Sequence, residues 1–406
     1  MHCFHKLSRK SSDDSLKNMD QSEIPMTATE RLIKRSLSCT LDLTFPRRKS
    51  NQIPNTTPAF VFDIDGVLFD KRRRLPGASR SLKYLQEKKI PFVFLTNRWI
   101  ETDVEGAALM QDYFGTSGIS PMQYISAQSP FANLVPRFGK QLVLIVGSCA
   151  IRAKFLADFY GFENCITPDE IYAANPSRYA GFVAPDRKAE RARRIMIKAI
   201  LVFDQPRKPH HDKMLIADLL LSVNGLVGSS SPKNGKRRYP NKGYQQDEQP
   251  EIWYTLAMPF VRTMSEHWQK LTGMKIENTV ILGKPSYENF SIAETQLLDT
   301  HRQLHGEDAS TIDTIWMIGD DIDTDILGAK HQNINSMLCT WKSVLVTTGV
   351  YKNGMLNGRP MLYWPSFFST GVWEAVQLAL RQGYNHKWWQ QAGGDWEEIS
   401  GTSQNM

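Results

Sequence analysis

Four clusters of reactive side chains stand in this sequence, each directly after a short apolar run. Asp63-Ile64-Asp65-Gly66-Val67 follows Val61-Phe62 and sets two carboxylates two residues apart, with Gly66 permitting a sharp exit. The pattern also matches the start of a calcium-binding EF-hand loop, but Val67 fills position five and no Glu fills position twelve, so that reading fails. Thr96-Asn97 follows Phe92-Val93-Phe94-Leu95. Its hydroxyl and amide could hydrogen-bond a phosphoryl oxygen, or equally cap a helix. Gly283-Lys284-Pro285 puts a cation beside a turn, which alone is ordinary surface. Gly319-Asp320-Asp321-Ile322-Asp323-Thr324-Asp325 packs four carboxylates into six residues after Trp316-Met317-Ile318. Such a density of negative charge is destabilising unless a cation or a lysine neutralises it.

Taken together, the four clusters fit Mg²⁺-dependent phosphoryl transfer through an aspartyl-phosphate. The donors are oxygens, and no His or Cys stands near them, which suits magnesium rather than zinc. A carboxylate nucleophile must not repel the phosphate it attacks. A metal ion and Lys284 would supply that compensation and stabilise the charge on the equatorial oxygens.

The elements that position these residues follow from the apolar runs. Residues 59–62, 91–95, 280–282 and 314–318 each end in polar or Gly residues, as strands buried in a parallel sheet do. The stretch 79–89 between the first two suits a crossover helix, giving a βαβ unit and a doubly wound α/β sheet with its site at the carboxyl ends of the strands. Runs at 142–146 and 198–203, with helical stretches at 150–160 and 213–223, place further α/β units and a second domain mid-chain. Residues 228–250 read as a polar, flexible surface loop, in which Lys236-Arg237-Arg238 is more simply a solvated tip than a grip on phosphate or RNA.

Length and composition bound the rest. With 406 residues, 41% hydrophobic and 22% charged, the chain is neither collagenous nor low-complexity, and two or three domains fit. No apolar run is long enough to span a membrane, so stable membrane insertion is not expected. The net charge of +7 is concentrated at the start, where residues 1–50 hold ten Lys/Arg against six Asp/Glu, so nucleic acid is not expected as a partner. Five cysteines without CxxC spacing argue against a disulfide framework. Residues 1–57 read as a disordered or targeting tail. The stretch 28–37 could form a basic amphipathic helix, as in a mitochondrial presequence; Asp13, Asp14, Asp20 and Glu23 count against one, leaving a cytoplasmic location as the alternative.

Over about residues 59–350 the chain resembles the haloacid dehalogenase (HAD) superfamily, whose four motifs stand here in order as DIDGV, LTN, GKP and GDDIDTD. The resemblance implies Asp63 as nucleophile, Asp65 as general acid/base, Thr96 and Asn97 as phosphoryl contacts and Lys284 as charge stabiliser. Magnesium would be held by Asp63 and Asp320, with Asp65, Asp321 and Asp325 also in or near the metal set. Residues 64–95, 32 in all, leave no room for a cap, whereas the 186 residues of 98–283 do. The implied architecture is class II-A: a HAD core over 58–125 and 276–384, a C2-type α/β cap over 126–275, and a C-terminal tail over 385–406. The run 343–351, with 60–67, looks like the subfamily of the cat eye syndrome critical region protein 5, which implies mitochondria and, in fungi, glycerophospholipid metabolism. One departure stands out. Members carry an Asn-Pro-Asp strand end and an Arg- and Gly-rich turn before motif three; here Gln249-Pro250-Glu251 and Met258-Pro259-Phe260-Val261-Arg262 are the nearest counterparts. The expected function is a magnesium-dependent phosphatase of a small phosphorylated metabolite, with a homodimer through the cap as an open expectation. The alternative is a weakly active or non-catalytic binding protein linked to mitochondrial lipid metabolism.

Overall fold

A computed structural model of the chain describes residues 56–71, 73–98, 102–175, 195–255, 258–306 and 311–383. The expected tails fall almost wholly outside the described residues, although the first strand begins at Thr56, inside the stretch expected to be tail.

Strand β1 (Thr56–Phe62) is followed by a short antiparallel ribbon, β2 (Phe69–Asp70) and β3 (Arg73–Arg74). Helix α1 (Ala78–Glu87) then leads to β4 (Phe92–Leu95), and helix α2 (Asp103–Phe114) to β5 (Tyr124–Ile125). The second sheet and its helices intervene before β11 (Thr311–Gly319), β12 (Thr340–Val346) and β13 (Phe367–Ser369) complete the first sheet. Its order is β13-β12-β11-β1-β4-β5, parallel throughout. Because strand side chains alternate, Phe60 and Phe62 meet α1, α2 and the final helix on one face, with Leu82, Leu85, Met110 and Val376. Ala59 and Val61 meet Phe290, Ala293 and Leu297 on the other. Apolar runs buried on both faces are what made these strands legible.

The second sheet comprises β6 (Leu142–Val146), β7 (Asn164–Ile166), β8 (Ala199–Val202), β9 (Glu251–Thr255) and β10 (Thr279–Leu282). Its order is β10-β9-β8-β6-β7, again parallel. Helices α3 (Ala150–Tyr160), α4 (Pro168–Ala174), α5 (Pro209–Leu221) and α6 (Met258–Thr272) connect it, and Tyr172, Leu215, Leu219, Met264 and Trp268 fill one of its cores. Helices α7 (Tyr287–His305) and α8 (Leu327–Asn335) pack on the first sheet, and α9 (Val372–Gly383) ends the described chain.

Two expectations need correction. The run 280–282, expected in the first sheet, is an edge strand of the second, with Ile281 38% exposed, so the boundary drawn at 276 falls before a strand of the inserted unit. A short apolar run declares a strand but not which sheet it joins. The stretch 228–250 is not a flexible loop along its length. Asp247 accepts from Ser231 Oγ at 3.0 Å and Lys233 Nζ at 3.1 Å, and Gln245 exchanges two 2.8 Å hydrogen bonds with the backbone of Glu277. Polar side chains here replace the missing ladder partners of the backbone.

Candidate active site

The chain runs from β1 outward through β4 to β5, then returns to β11 on the opposite side of β1. The β1/β11 boundary is thus a topological switch point, where the crevice beyond the strand ends is open to a ligand. Asp63 leaves β1 there, its N–H donating to Ile318 O at 3.0 Å, and Asp320 leaves β11 beside it. Gly66 turns the chain at φ 85°, and a Cβ on it would run into the Asp320 carboxylate, so glycine is required both for conformation and for space. Gly349 meets the same carboxylate. The turn after β12 grips this corner: Val350 N donates to Asp320 Oδ2 at 2.7 Å, and Thr348 Oγ1 donates to Gly66 O at 2.5 Å. The 343–351 run carried only a resemblance in the sequence; its holding role was not legible.

Lys284 arrives from the other sheet. It follows β10, and its buried Nζ makes an ion pair with Asp63 Oδ1 and another with Asp325 Oδ1 at 2.8 Å. The turn that delivers it is tied to the core. Asn289 Oδ1 accepts from Gly283 N at 2.6 Å, while its Nδ2 donates to Ser126 O at 2.8 Å. Asp325 is wholly buried, and its second oxygen accepts from the backbone N–H groups of Asp320 and Asp321 at 3.1 and 3.2 Å.

Carboxylate oxygens of Asp63, Asp320 and Asp325 lie within 4.8 Å of one another, all buried, around one ammonium. Burial pushes the Asp63 carboxyl up to about 6 against the pull of Lys284. Burial, then the neighbouring Asp325, raises Asp320 to about 6. Burial lifts Asp325 to about 7, again opposed by Lys284. Burial would depress Lys284, but Asp325 and Asp63 outweigh it and hold the ammonium above the usual lysine range. Burial is the main cause of the three upward shifts, and repulsion among the carboxylates adds to it. A divalent cation bound by oxygens fits this donor set. Asp325 has both oxygens engaged, which leaves Asp63 and Asp320 as the ligands the geometry favours.

The other expected residues divide. Thr96 is buried, with Oγ1 accepting from Arg98 N at 3.0 Å, so its hydroxyl proton can still be donated. Asp65 lies outside the buried trio; it is 48% exposed and pairs with Arg98 Nε at 3.1 Å, a partner the sequence did not reveal. Asp321 also lies outside the trio and caps Asp323 N at 2.9 Å. Asn97 uses its amide differently from expectation. Its Oδ1 accepts from Lys284 N at 2.7 Å and its Nδ2 donates to Lys284 O at 3.0 Å, pinning the lysine backbone from both sides. Asn97→Ala is therefore expected to lower kcat on a generic phosphate ester roughly a hundredfold by loosening Lys284, with little change in melting temperature. A kcat within twofold of the parent would remove this positioning role.

A family model of haloacid dehalogenase-like hydrolases matches residues 60–162, and a HAD-hydrolase-like model matches 281–375, so that the two bracket all four motifs. The chain carries haloacid dehalogenase-like hydrolase domains. It is 28% identical over 328 residues to a mitochondrial hydrolase of Saccharomyces cerevisiae, covering 73% of this chain and 88% of that protein. It is 26% identical over 357 residues to a cardiolipin synthase (CMP-forming) / mitochondrial hydrolase fusion protein of Schizosaccharomyces pombe, covering 83% of this chain and 55% of the fusion. Among solved structures, a hypothetical protein of Pyrococcus horikoshii aligns with a TM-score of 0.49 at 17% identity, over 79% of this chain and 99% of that one.

In this hydrolase the inserted sheet meets the site through its strand ends. Thr255, the last residue of β9, pairs in register with Leu282, two residues before Lys284. The carboxyl end of β9 is therefore the end beside the site, and only residues 256 and 257 join it to α6. Gln249-Pro250-Glu251, taken from sequence as the altered strand end, instead enters β9 from the far end. There Gln249 is buried, donating to Ser222 O at 2.8 Å and accepting from Asp247 N at 2.7 Å. The stretch 249–262 is thus a strand and a helix start rather than one loop facing the site.

Proposed function

We propose that this hydrolase is a magnesium-dependent phosphatase that hydrolyses a small phosphorylated metabolite through an aspartyl-phosphate. The observation that carries the reading is the contact of Asp63 with Lys284 at the switch point, inside a buried cluster completed by Asp320 and Asp325. Asp63 attacks phosphorus in line, and the bond to the leaving oxygen breaks as Asp65 protonates it. Asp65 then takes a proton from water, which attacks the phosphorus of the acyl phosphate and returns Asp63 with free phosphate. The Thr96 hydroxyl and the Asn97 backbone N–H meet phosphoryl oxygens, while Lys284 offsets their charge. Asp63 and Asp320 would hold magnesium, which would supply further neutralisation of the phosphoryl group. Asp325 keeps Lys284 aimed and the 320–321 turn closed.

The names of the two fungal relatives support a mitochondrial setting and a substrate drawn from glycerophospholipid metabolism. The Met258-Pro259-Phe260-Val261-Arg262 stretch, which lacks the glycines of the family pattern, favours a second reading, a weakly active or non-catalytic binding protein. A phosphatase screen of the purified chain over phosphorylated metabolites, glycerol phosphates included, separates the two. Turnover with magnesium is expected on a defined subset of esters, falling at least about a hundredfold with a chelator and not restored by calcium, whose looser coordination misplaces the nucleophile. Absence of magnesium-dependent turnover across the panel would favour the binding reading.

A further inference from the structure

Helices α5 and α6 pack against each other over the second sheet. Both carry the same pattern at the same helical spacing. His210, Lys213 and Met214 occupy positions i, i+3 and i+4 of α5, and His267, Lys270 and Leu271 occupy i, i+3 and i+4 of α6. Residues so spaced share one helix face, so each helix presents a stripe of two basic side chains and one apolar side chain. The stripes lie close together: burial, then Lys213, His210 and Lys270, hold the His267 imidazole below its ordinary range. Met214 is 43% exposed and Leu271 50%, although both are apolar.

The basic face continues past α6. A Cβ on Gly273 would lie 3.7 Å from Lys242 Nζ, and exposed Lys236, Arg237 and Arg238 precede Lys242 by four to six residues. Among the described residues, Lys213, Lys236, Arg237, Lys242 and Lys270 have no ion-pair partner. Three nearby acids are already engaged: Glu266 by Arg262 at 3.0 Å, Asp247 by Lys233 at 3.1 Å, and buried Asp212 by the Tyr172 hydroxyl at 2.9 Å.

We propose that this face of the inserted unit docks the protein onto an anionic phospholipid surface, the basic side chains meeting headgroups while Met214 and Leu271 enter the interfacial layer. Unpaired positive charge beside exposed apolar side chains complements such a surface in both of its properties. A single-stranded nucleic acid would instead want an open aromatic platform, and the Tyr239 ring is covered by the Arg238 guanidinium at 4.9 Å. The face contains none of the residues assigned to chemistry, so docking and hydrolysis are separable.

The test is flotation of the full chain with phosphatidylcholine vesicles, either neutral or containing roughly a third phosphatidylglycerol. Binding is expected on the anionic vesicles only, weakened at high salt, and weakened at least about 25-fold in the Lys213→Glu/Lys270→Glu double variant, since each of the two basic side chains near the surface contributes about fivefold. Met214→Ser/Leu271→Ser should weaken binding with its salt dependence retained. Both variants should keep the parent's melting temperature and its turnover of soluble esters. If charge reversal unfolds the chain, Lys213→Gln/Lys270→Gln takes its place with a smaller loss expected. The basic N-terminal stretch is common to all these proteins, so binding that persists unchanged in the variants would place the contact elsewhere and overturn the proposal. Equal binding to neutral vesicles, or tighter binding to RNA than to vesicles at the same salt, would overturn it too.

Discussion

Replacing Asp63 by Asn is expected to lower turnover by at least about a thousandfold, which corresponds to about 4 kcal/mol of transition-state stabilisation. The amide cannot attack phosphorus, and it removes one of the two oxygen ligands that the geometry favours for magnesium. The melting temperature should barely move, because Lys284 keeps its 2.8 Å pair with Asp325 and the isosteric amide still offers Lys284 an acceptor. A variant that retains more than a few per cent of parent activity in the same assay would show that another group is the nucleophile.

Lys284→Met should be as damaging to turnover and far more damaging to stability. Removing the ammonium that pairs with buried Asp63 and Asp325 leaves uncompensated charge, a change that costs about 3–5 kcal/mol for buried pairs. The loss should depend on pH. In the parent without metal the carboxyls of Asp63, Asp320 and Asp325 already sit at about 6 to 7, above their unfolded value of 3.8, so the folded state holds protons that the unfolded state has released. Stability then falls as pH rises between those values, and deleting Lys284 steepens the fall. Urea unfolding in chelator at pH 5 and pH 8 should show the larger penalty at pH 8, partly relieved by added magnesium. A penalty under about 1 kcal/mol at pH 8 would mean that the cluster is not buried as described.

The reactive residues were legible because a nucleophile held at a parallel strand end must follow a buried apolar run, and Val61-Phe62 and Trp316-Met317-Ile318 are such runs. The doubly wound sheet followed from the same signal. What the sequence concealed is long-range pairing. Nothing local says that the strand before Lys284 joins the second sheet, or that the Asn97 amide grips the backbone of a residue 187 positions away. The Arg98–Asp65 pair and the grip of Val350 on Asp320 are equally invisible, because each depends on loops meeting at the switch point. The entry of β9 was mistaken for its exit because the Gln-Pro-Glu triplet resembles a family motif without occupying its place. Composition also drew 228–250 as a free loop, since side-chain hydrogen bonds that order such a stretch leave no periodic trace.

The central claim is that Asp63 carries the phosphoryl group between substrate and water. The most direct measurement is the stereochemical course at phosphorus, using a phosphorothioate ester made chiral by sulfur and two oxygen isotopes and hydrolysed in water carrying the third. Two successive in-line displacements, first by Asp63 and then by water, predict net retention of configuration. Net inversion would mean a single displacement by water and would contradict the aspartyl-phosphate.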